Sequence, residues 1–270
     1  MRLDLVYRTQ YVYVPAVRGG VTALRLRPTP GAGLSVNGSR LIVSPGSVAT
    51  TYSDGWGTAV DVIETRGTHQ DATFELAAQV ETHPDQRDLV LSPYEAHVYA
   101  RDSARVRIGA VAALGWQQKS DGTRWEALEA AMCWLPERLR FRVGVTDAET
   151  ELEDVIERGE GVCQDFAHVF LAWLRRDGWC ARYVSGYMFT SREDAEQIEA
   201  DAMHAWVEVY RPGEGWIGLD ATAGELADGR YVAVGRGRDY DDVRPIRGVF
   251  QGRTSQSQTA HLSMMRIPEQ

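Results

Sequence analysis

The chain is short of cysteine, of basic charge and of long apolar runs, and each shortage excludes something. Cys133, Cys163 and Cys180 are the three cysteines in 270 residues. They are odd in number and widely spaced, and no C-x-x-C or H-x-x-x-H occurs. That argues against a disulfide framework and against a compact zinc site. Lys and Arg total 29 against 38 Asp and Glu, a net charge of −9. A field of that sign does not attract nucleic acid or anionic lipid. The longest apolar stretches, such as Ala110 to Trp116, fall far short of the roughly 18–20 residues that span a bilayer. The start, MRLDLVYRTQYVYV, alternates where a secretory leader would be continuously apolar. Gly235-Arg236-Gly237-Arg238 lacks the Lys-Ser/Thr that a phosphate-binding loop needs. The expectation is a cytoplasmic protein with no nucleic-acid or membrane partner, no cofactor and no metal.

What is present is an ordinary globular composition, 44% hydrophobic and 25% charged. The length suggests one or two domains. In the first ninety residues apolar positions recur at period two: Leu3, Leu5, Tyr7, then Tyr11 and Tyr13, with Val6, Val12 and Val14 on the other phase. Further strands are predicted at Val21–Arg27, Leu41–Val43, Thr58–Glu64 and Ala72–Val80. Gly19-Gly20, Asn37-Gly38 and Asp54-Gly55-Trp56-Gly57 punctuate them. Residues 1–91 therefore read as an antiparallel β domain without a chemical constellation.

From about Ser92 the pattern changes. Asp121 or Thr123 is a candidate cap for a helix from Trp125 to Leu135. A second, acidic helix is expected from a Thr146–Asp147 cap to Arg158. Phe166, Phe170 and Leu174 then recur at i, i+4 and i+8, the stripe of an amphipathic helix that ends near Gly178. Strands follow at Ala181–Tyr187, His204–Tyr210 and Trp216–Asp220, the last two joined through Pro212-Gly213-Glu214-Gly215. Residues 92–250 form this second unit. The polar tail, 251–270, is either a strand returning to the β domain or a frayed end.

The chemistry concentrates at three residues. Cys163 stands where the amphipathic helix begins, after Gly159 and Gly161. The partial positive charge and open N–H groups of a helix start favour a thiolate there. His204 opens an apolar strand after the polar loop Ser191–Asp201, and Asp220 closes the next strand. A turn centred near residue 212 places His204 and Asp220 opposite each other, within hydrogen-bonding range across the hairpin. Nucleophile, base and orienter then follow in chain order.

The run GVCQDFAHVF, with ARYVSGY, HAWVEVY and GWIGLDAT after it, resembles the core of the transglutaminase-like superfamily, whose thiol site is papain-like. LRLRP at 24–28, Asp54-Gly55-Trp56-Gly57 and GRDYDDVRPIRG at 237–248 are similar to segments that flank that core in bacterial members. The resemblance implies an α+β fold: an N-terminal antiparallel β domain, then a core in which a helix carrying Cys163 packs on an antiparallel sheet carrying His204 and Asp220. It implies these three as a catalytic triad for acyl transfer on a peptide, protein or carboxamide substrate. Ala221-Thr222-Ala223 stands where the family usually has Pro-Thr-Asn. Hydrolysis makes such an enzyme a peptidase or amidase, and an amine acceptor makes it a transglutaminase. A catalytically silent peptide- or protein-binding module is the alternative.

Blander roles are expected elsewhere. Cys133 and Cys180 read as packing residues. His168, about 140° around the helix from Cys163, points away from the thiol. Asp165 complements the helix start. Trp206 and Trp216 either line a cleft or fill the sheet core. The N-terminal β domain is expected to shape or cover the cleft.

Overall fold

A computed structural model describes residues 1–115, 123–190 and 203–268. Asp121, Trp116 and the loop Ser191–Asp201 lie outside the described residues. In chain order the strands are β1 (Arg2–Leu24), β2 (Leu34–Ser44), β3 (Ser47–Ser53), β4 (Ala59–Thr82), β5 (Arg140–Phe141), β6 (Glu160–Gly161), β7 (Ala181–Met188), β8 (His204–Arg211), β9 (Gly215–Asp220), β10 (Glu225–Leu226), β11 (Tyr231–Gly237), β12 (Ile246–Gln251) and β13 (Ser255–Ile267). The α-helices are α1 (Pro93–Val98), α2 (Arg124–Arg138), α3 (Leu152–Arg158), α4 (Cys163–Arg176) and α5 (Tyr240–Val243).

The first sheet is organised on β1 and β4, which pair antiparallel with Leu3 opposite Val80, Leu5 opposite Ala78 and Tyr7 opposite Leu76. All six side chains are buried, while the alternate pairs, such as Arg8 with Glu75, carry the polar phase. β1 runs through Gly19-Gly20, where a break was predicted, and β4 joins two predicted strands into one. The β1–β4 register shifts between Val12 and Val17 and again between Arg18 and Gly20. Bulges of this kind bend a strand without ending it, so Pro15 and Gly19-Gly20 mark kinks rather than turns. The halves of each long strand then take different outer partners. β13 and β12 pair with the first and second halves of β1, and β3 and β2 with the first and second halves of β4. The chain thus returns to the first sheet at Ile246, before the polar tail begins.

The LRLRP run has a local reason. Leu24 and Leu26 are fully buried. Arg25 clamps Asp54 at 2.9 Å and Arg27 clamps Asp61 at 2.7 Å. Asp54 also accepts the N–H groups of Trp56 and Thr58, closing the turn before β4.

The second sheet is antiparallel, in the order β10-β9-β8-β7-β11. Phe166, Phe170 and Leu174 of α4 pack on one face against Ala181, Tyr183, Val207, Val209, Ile217 and Leu219. Tyr187, Val232 and Val234 join the core of the first sheet, and the Tyr187 hydroxyl donates to the Leu26 carbonyl at 2.8 Å. The opposite face buries Val184, Trp206, Tyr231 and Ala233. Beside them Glu208 is held between Arg182 and Arg236 at 2.6 and 2.9 Å.

Thr123 caps α2 in a capping box with Glu126. The acidic helix is shorter than predicted: α3 starts at Leu152, after Glu151. Asp147 instead closes a turn, accepting from the Glu149 N–H at 2.9 Å and the Thr150 hydroxyl at 3.0 Å. An Asx turn of this kind satisfies the backbone without helix.

Candidate active site

The start of α4 is held by its own third residue. Asp165 Oδ2 accepts the Val162 N–H at 2.8 Å and the Thr146 hydroxyl at 2.7 Å. Thr146, expected to cap a helix of its own, therefore serves this one. Burial pushes the Asp165 carboxyl up, and these two donors oppose the rise. Gly161 has no room for a side chain, because a Cβ there would stand 2.7 Å from Asp165 Cβ. Cys163 is the first residue of the helix, half-buried against the α4 core.

His204 begins β8, opposite Gly186 of β7. Its ring stacks on Trp206, two residues along the same face, at 6.2 Å. Trp206 occupies the space of a missing side chain, because a Cβ on Gly186 would meet its ring at 2.6 Å. Trp206 and Trp216 are both buried. The first supports the His204 ring, and the second lies under the Arg182 guanidinium at 3.8 Å.

His204 Nε2 donates to Asp220 Oδ2 at 2.6 Å. The β8–β9 register differs from the one expected, with Val207 opposite Leu219 and Val209 opposite Ile217. Continued one step, it places Asp220 opposite Trp206, so Asp220 is the diagonal neighbour of His204. The turn is centred one residue later than expected. That slides the register by two and keeps both side chains on one face. Cys163 also lies close enough to the ring to favour its charged form.

Burial alone would discharge the His204 ring. Its hydrogen bonds to Asp220 and Cys163, together with their charges, outweigh burial and raise it to about 10. Asp220 is buried, which favours its neutral form, yet the His204 bond and charge, the Tyr231 hydroxyl and the Thr222 N–H hold its carboxyl below the usual range. The backbone of Ala221-Thr222-Ala223 does the holding that side chains could have done, since Thr222 and Ala223 N–H donate to Asp220 Oδ1 at 2.8 and 3.3 Å.

The structure thus brings Cys163, His204 and Asp220 into one contact series. His168 lies apart, buried, its Nε2 accepting the Tyr240 N–H at 3.2 Å. Burial lowers it to about 4. Cys180 is half-buried and burial pushes its thiol up to about 11. Cys133 corrects the packing expectation, because it is exposed. Leu128, Ala131, Met132 and Leu135 take the inward side of α2, and the residue after Met132 is turned about 100° away. Sequence reasoning missed Tyr231, whose hydroxyl reaches Asp220 at 2.9 Å. No spacing rule links a β11 residue to the end of β9. Among the described residues no group of three or more His, Cys, Asp and Glu is placed to hold a metal ion.

Phe189 and Met203 pack against the core of the first sheet. The first sheet therefore supports the residue next to His204.

Comparison with known proteins gives the family. Residues 112–221 match the Transglutaminase-like superfamily, and residues 3–81 match the Bacterial transglutaminase-like N-terminal region. An uncharacterized protein of Mycobacterium leprae is 30% identical over 273 residues, covering 93% of this chain and 94% of its own. One of Mycobacterium tuberculosis is 31% identical over 277 residues, covering 92% and 87%. A solved structure from Cytophaga hutchinsonii, described as a candidate cysteine protease, superposes with a TM-score of 0.79 at 19% identity, covering 100% of this chain and 92% of that one. At that identity the likeness is one of fold. By its core, its N-terminal region and its full-length relatives, this chain belongs to the transglutaminase-like superfamily in its bacterial form.

Proposed function

We propose that the protein is a cysteine-dependent acyl-transfer enzyme acting on peptide or carboxamide bonds, and that it hydrolyses them rather than crosslinking them to amines. The observation that carries this reading is the His204 imidazole, bonded to Asp220 at 2.6 Å and close enough to the Cys163 thiol to interact with it. Cys163 is the nucleophile, His204 the general acid and base, and Asp220 the group that holds the ring.

The sulfur of Cys163 adds to the carbonyl carbon. The oxygen that becomes negative is met by N–H groups at the start of α4, which have no partner within the helix. His204 gives its proton to the departing nitrogen as the C–N bond breaks, leaving a thioester. The neutral imidazole then takes a proton from water, the hydroxide adds to the thioester, and the C–S bond breaks to release a carboxylic acid and restore the thiol pair. Water and an amine compete at this second step. The protease description of the Cytophaga hutchinsonii fold neighbour supports water. Three free cysteines support a reducing, cytoplasmic setting, which cell fractionation tests.

The test is a peptide-amide library in which ammonia release and backbone cleavage are read separately, with no amine added. Release or cleavage that disappears in Cys163→Ala is the expected result. Turnover that survives Cys163→Ala overturns the triad. Tight binding of peptides without turnover by the wild-type protein favours the silent binding module instead.

A further inference from the structure

Asp220 is gripped at both carboxylate oxygens. Its own turn supplies the donors to Oδ1. Oδ2 receives two donors from other strands, His204 Nε2 at 2.6 Å and the Tyr231 hydroxyl at 2.9 Å. That hydroxyl also lies 3.1 Å from Glu225 Oε1. A phenol carries one proton, so Asp220 and Glu225 compete for it. Glu225 Oε1 has a second donor, Arg230 Nη2 at 2.6 Å. Arg230 in turn holds Asp228 through Nε at 2.9 and 3.0 Å and stands 5.8 Å from the Tyr231 ring.

A line of contacts therefore runs from the surface to the imidazole. Glu225 and Arg230 are 40% and 36% exposed, and Asp220 is 1% exposed. Because Arg230 satisfies Glu225, the buried carboxylate is the better claimant for the phenol proton.

We propose that Tyr231 is a positioning residue for the triad, its hydroxyl donating to Asp220, and that the Arg230–Glu225 pair directs that proton inward. The proposal rests on the triad reading. The consequence is electrostatic as well as steric. A donor on Oδ2 shares the carboxylate's charge and so tempers its pull on the imidazolium. It also keeps the carboxylate from rotating away from the ring. The titratable and charged groups that face this line are Cys163 from α4, His204 from β8, Asp220 from β9, Glu225 from β10, and Asp228 and Arg230 from the loop before β11.

The test follows the His204 ring resonance through a pH titration, with Cys163 alkylation by iodoacetamide, read by mass spectrometry, as an independent monitor of the site. Tyr231→Phe keeps the ring that packs edge-on against Trp206 at 5.3 Å. Losing the hydroxyl should raise the His204 midpoint by about half a pH unit or more. Arg230→Gln, which frees Glu225 to take the proton, should move it in the same direction. Glu225→Gln should lower it, and most of that effect should vanish in the Tyr231→Phe background. An unchanged midpoint in Tyr231→Phe overturns the proposal while leaving the triad intact. So does a Glu225→Gln effect of equal size with and without the hydroxyl. If Asp220→Asn moves neither the His204 midpoint nor the alkylation rate, the triad reading fails and this proposal fails with it.

Discussion

His204 and Asp220 meet at 2.6 Å as diagonal neighbours across β8 and β9, with Trp206 between them on the strand face. The diagonal leaves the position directly across from Asp220 for an indole that stacks on the imidazole. The ring is thereby held by a charge at one nitrogen and by an aromatic plane along one face. A ring so fixed stands beside the helix that begins with Cys163.

Cys163 should alkylate with iodoacetamide at a rate that depends on His204. Cys133 is exposed, so exposure alone does not separate the two thiols. Dependence on the partner does: His204→Ala should slow Cys163 by about tenfold or more and leave Cys133 unchanged. Cys180, pushed up to about 11, should be the slowest at neutral pH. Equal slowing of Cys133 and Cys163 would point to a general loss of structure.

Asp220→Asn should retain the fold and lose most turnover. An amide can hydrogen-bond Nε2, but it does not hold a charge against the imidazolium and it admits the wrong tautomer. The expected fall in kcat is about 10²–10⁴-fold, measured on whichever peptide amide the library identifies. Retention of full activity would remove Asp220 from the mechanism.

Gly186→Ala should destabilise the protein strongly. The added Cβ would lie 2.3 Å from the Val232 carbonyl and 2.6 Å from the Trp206 ring, and neither can withdraw without disturbing β11 or the His204 platform. Overpacking of this kind costs about 3 kcal/mol, to be read by thermal or denaturant unfolding. A neutral substitution would show that the β7–β11 contact is looser than described.

Stability should fall on mild acidification, in two steps. His168 is lowered to about 4 by burial, so between that value and its ordinary 6.5 the unfolded chain binds more protons than the folded one. Its contribution is intact above pH 6.5 and is lost as the pH falls towards 4, by roughly 3 kcal/mol. Glu208 is buried, but Arg236 and Arg182 hold it at about 2. Its contribution is present above the ordinary glutamate range and disappears as the pH drops from there through about 2. Denaturant unfolding between pH 7 and pH 4.5 should show the first step, and His168→Gln should flatten it. An identical slope in His168→Gln would assign the step to another group.

The strand alternation of Leu3, Leu5 and Tyr7, the α4 stripe of Phe166, Phe170 and Leu174, and the stop at Gly178 were legible because each is local and periodic. Gly178 adopts φ +77, the left-handed conformation that ends a helix cheaply. The continuity of β1 and β4 was not legible. Pro15 and Gly19-Gly20 look the same in sequence whether a strand stops or bends, and pairing with β13 and β12 decides which. The exposure of Cys133 was missed because its sequence neighbours Ala131, Met132, Trp134 and Leu135 are apolar, whereas in the helix it turns away from the buried side. Thr146 looked like a cap for its own helix because its partner, Asp165, lies 19 residues on.

By itself the amino-acid sequence specified the residue types and order of the site: a cysteine opening a helix, a histidine opening a strand and an aspartate closing the next, with glycines where backbone or indole needs room. Tertiary structure decided the hairpin register, the nitrogen that meets Asp220, and the phenol that shares Asp220. Those choices depend on contacts between segments far apart along the chain. Their free energies are settled by packing and buried charge, to which local spacing is blind.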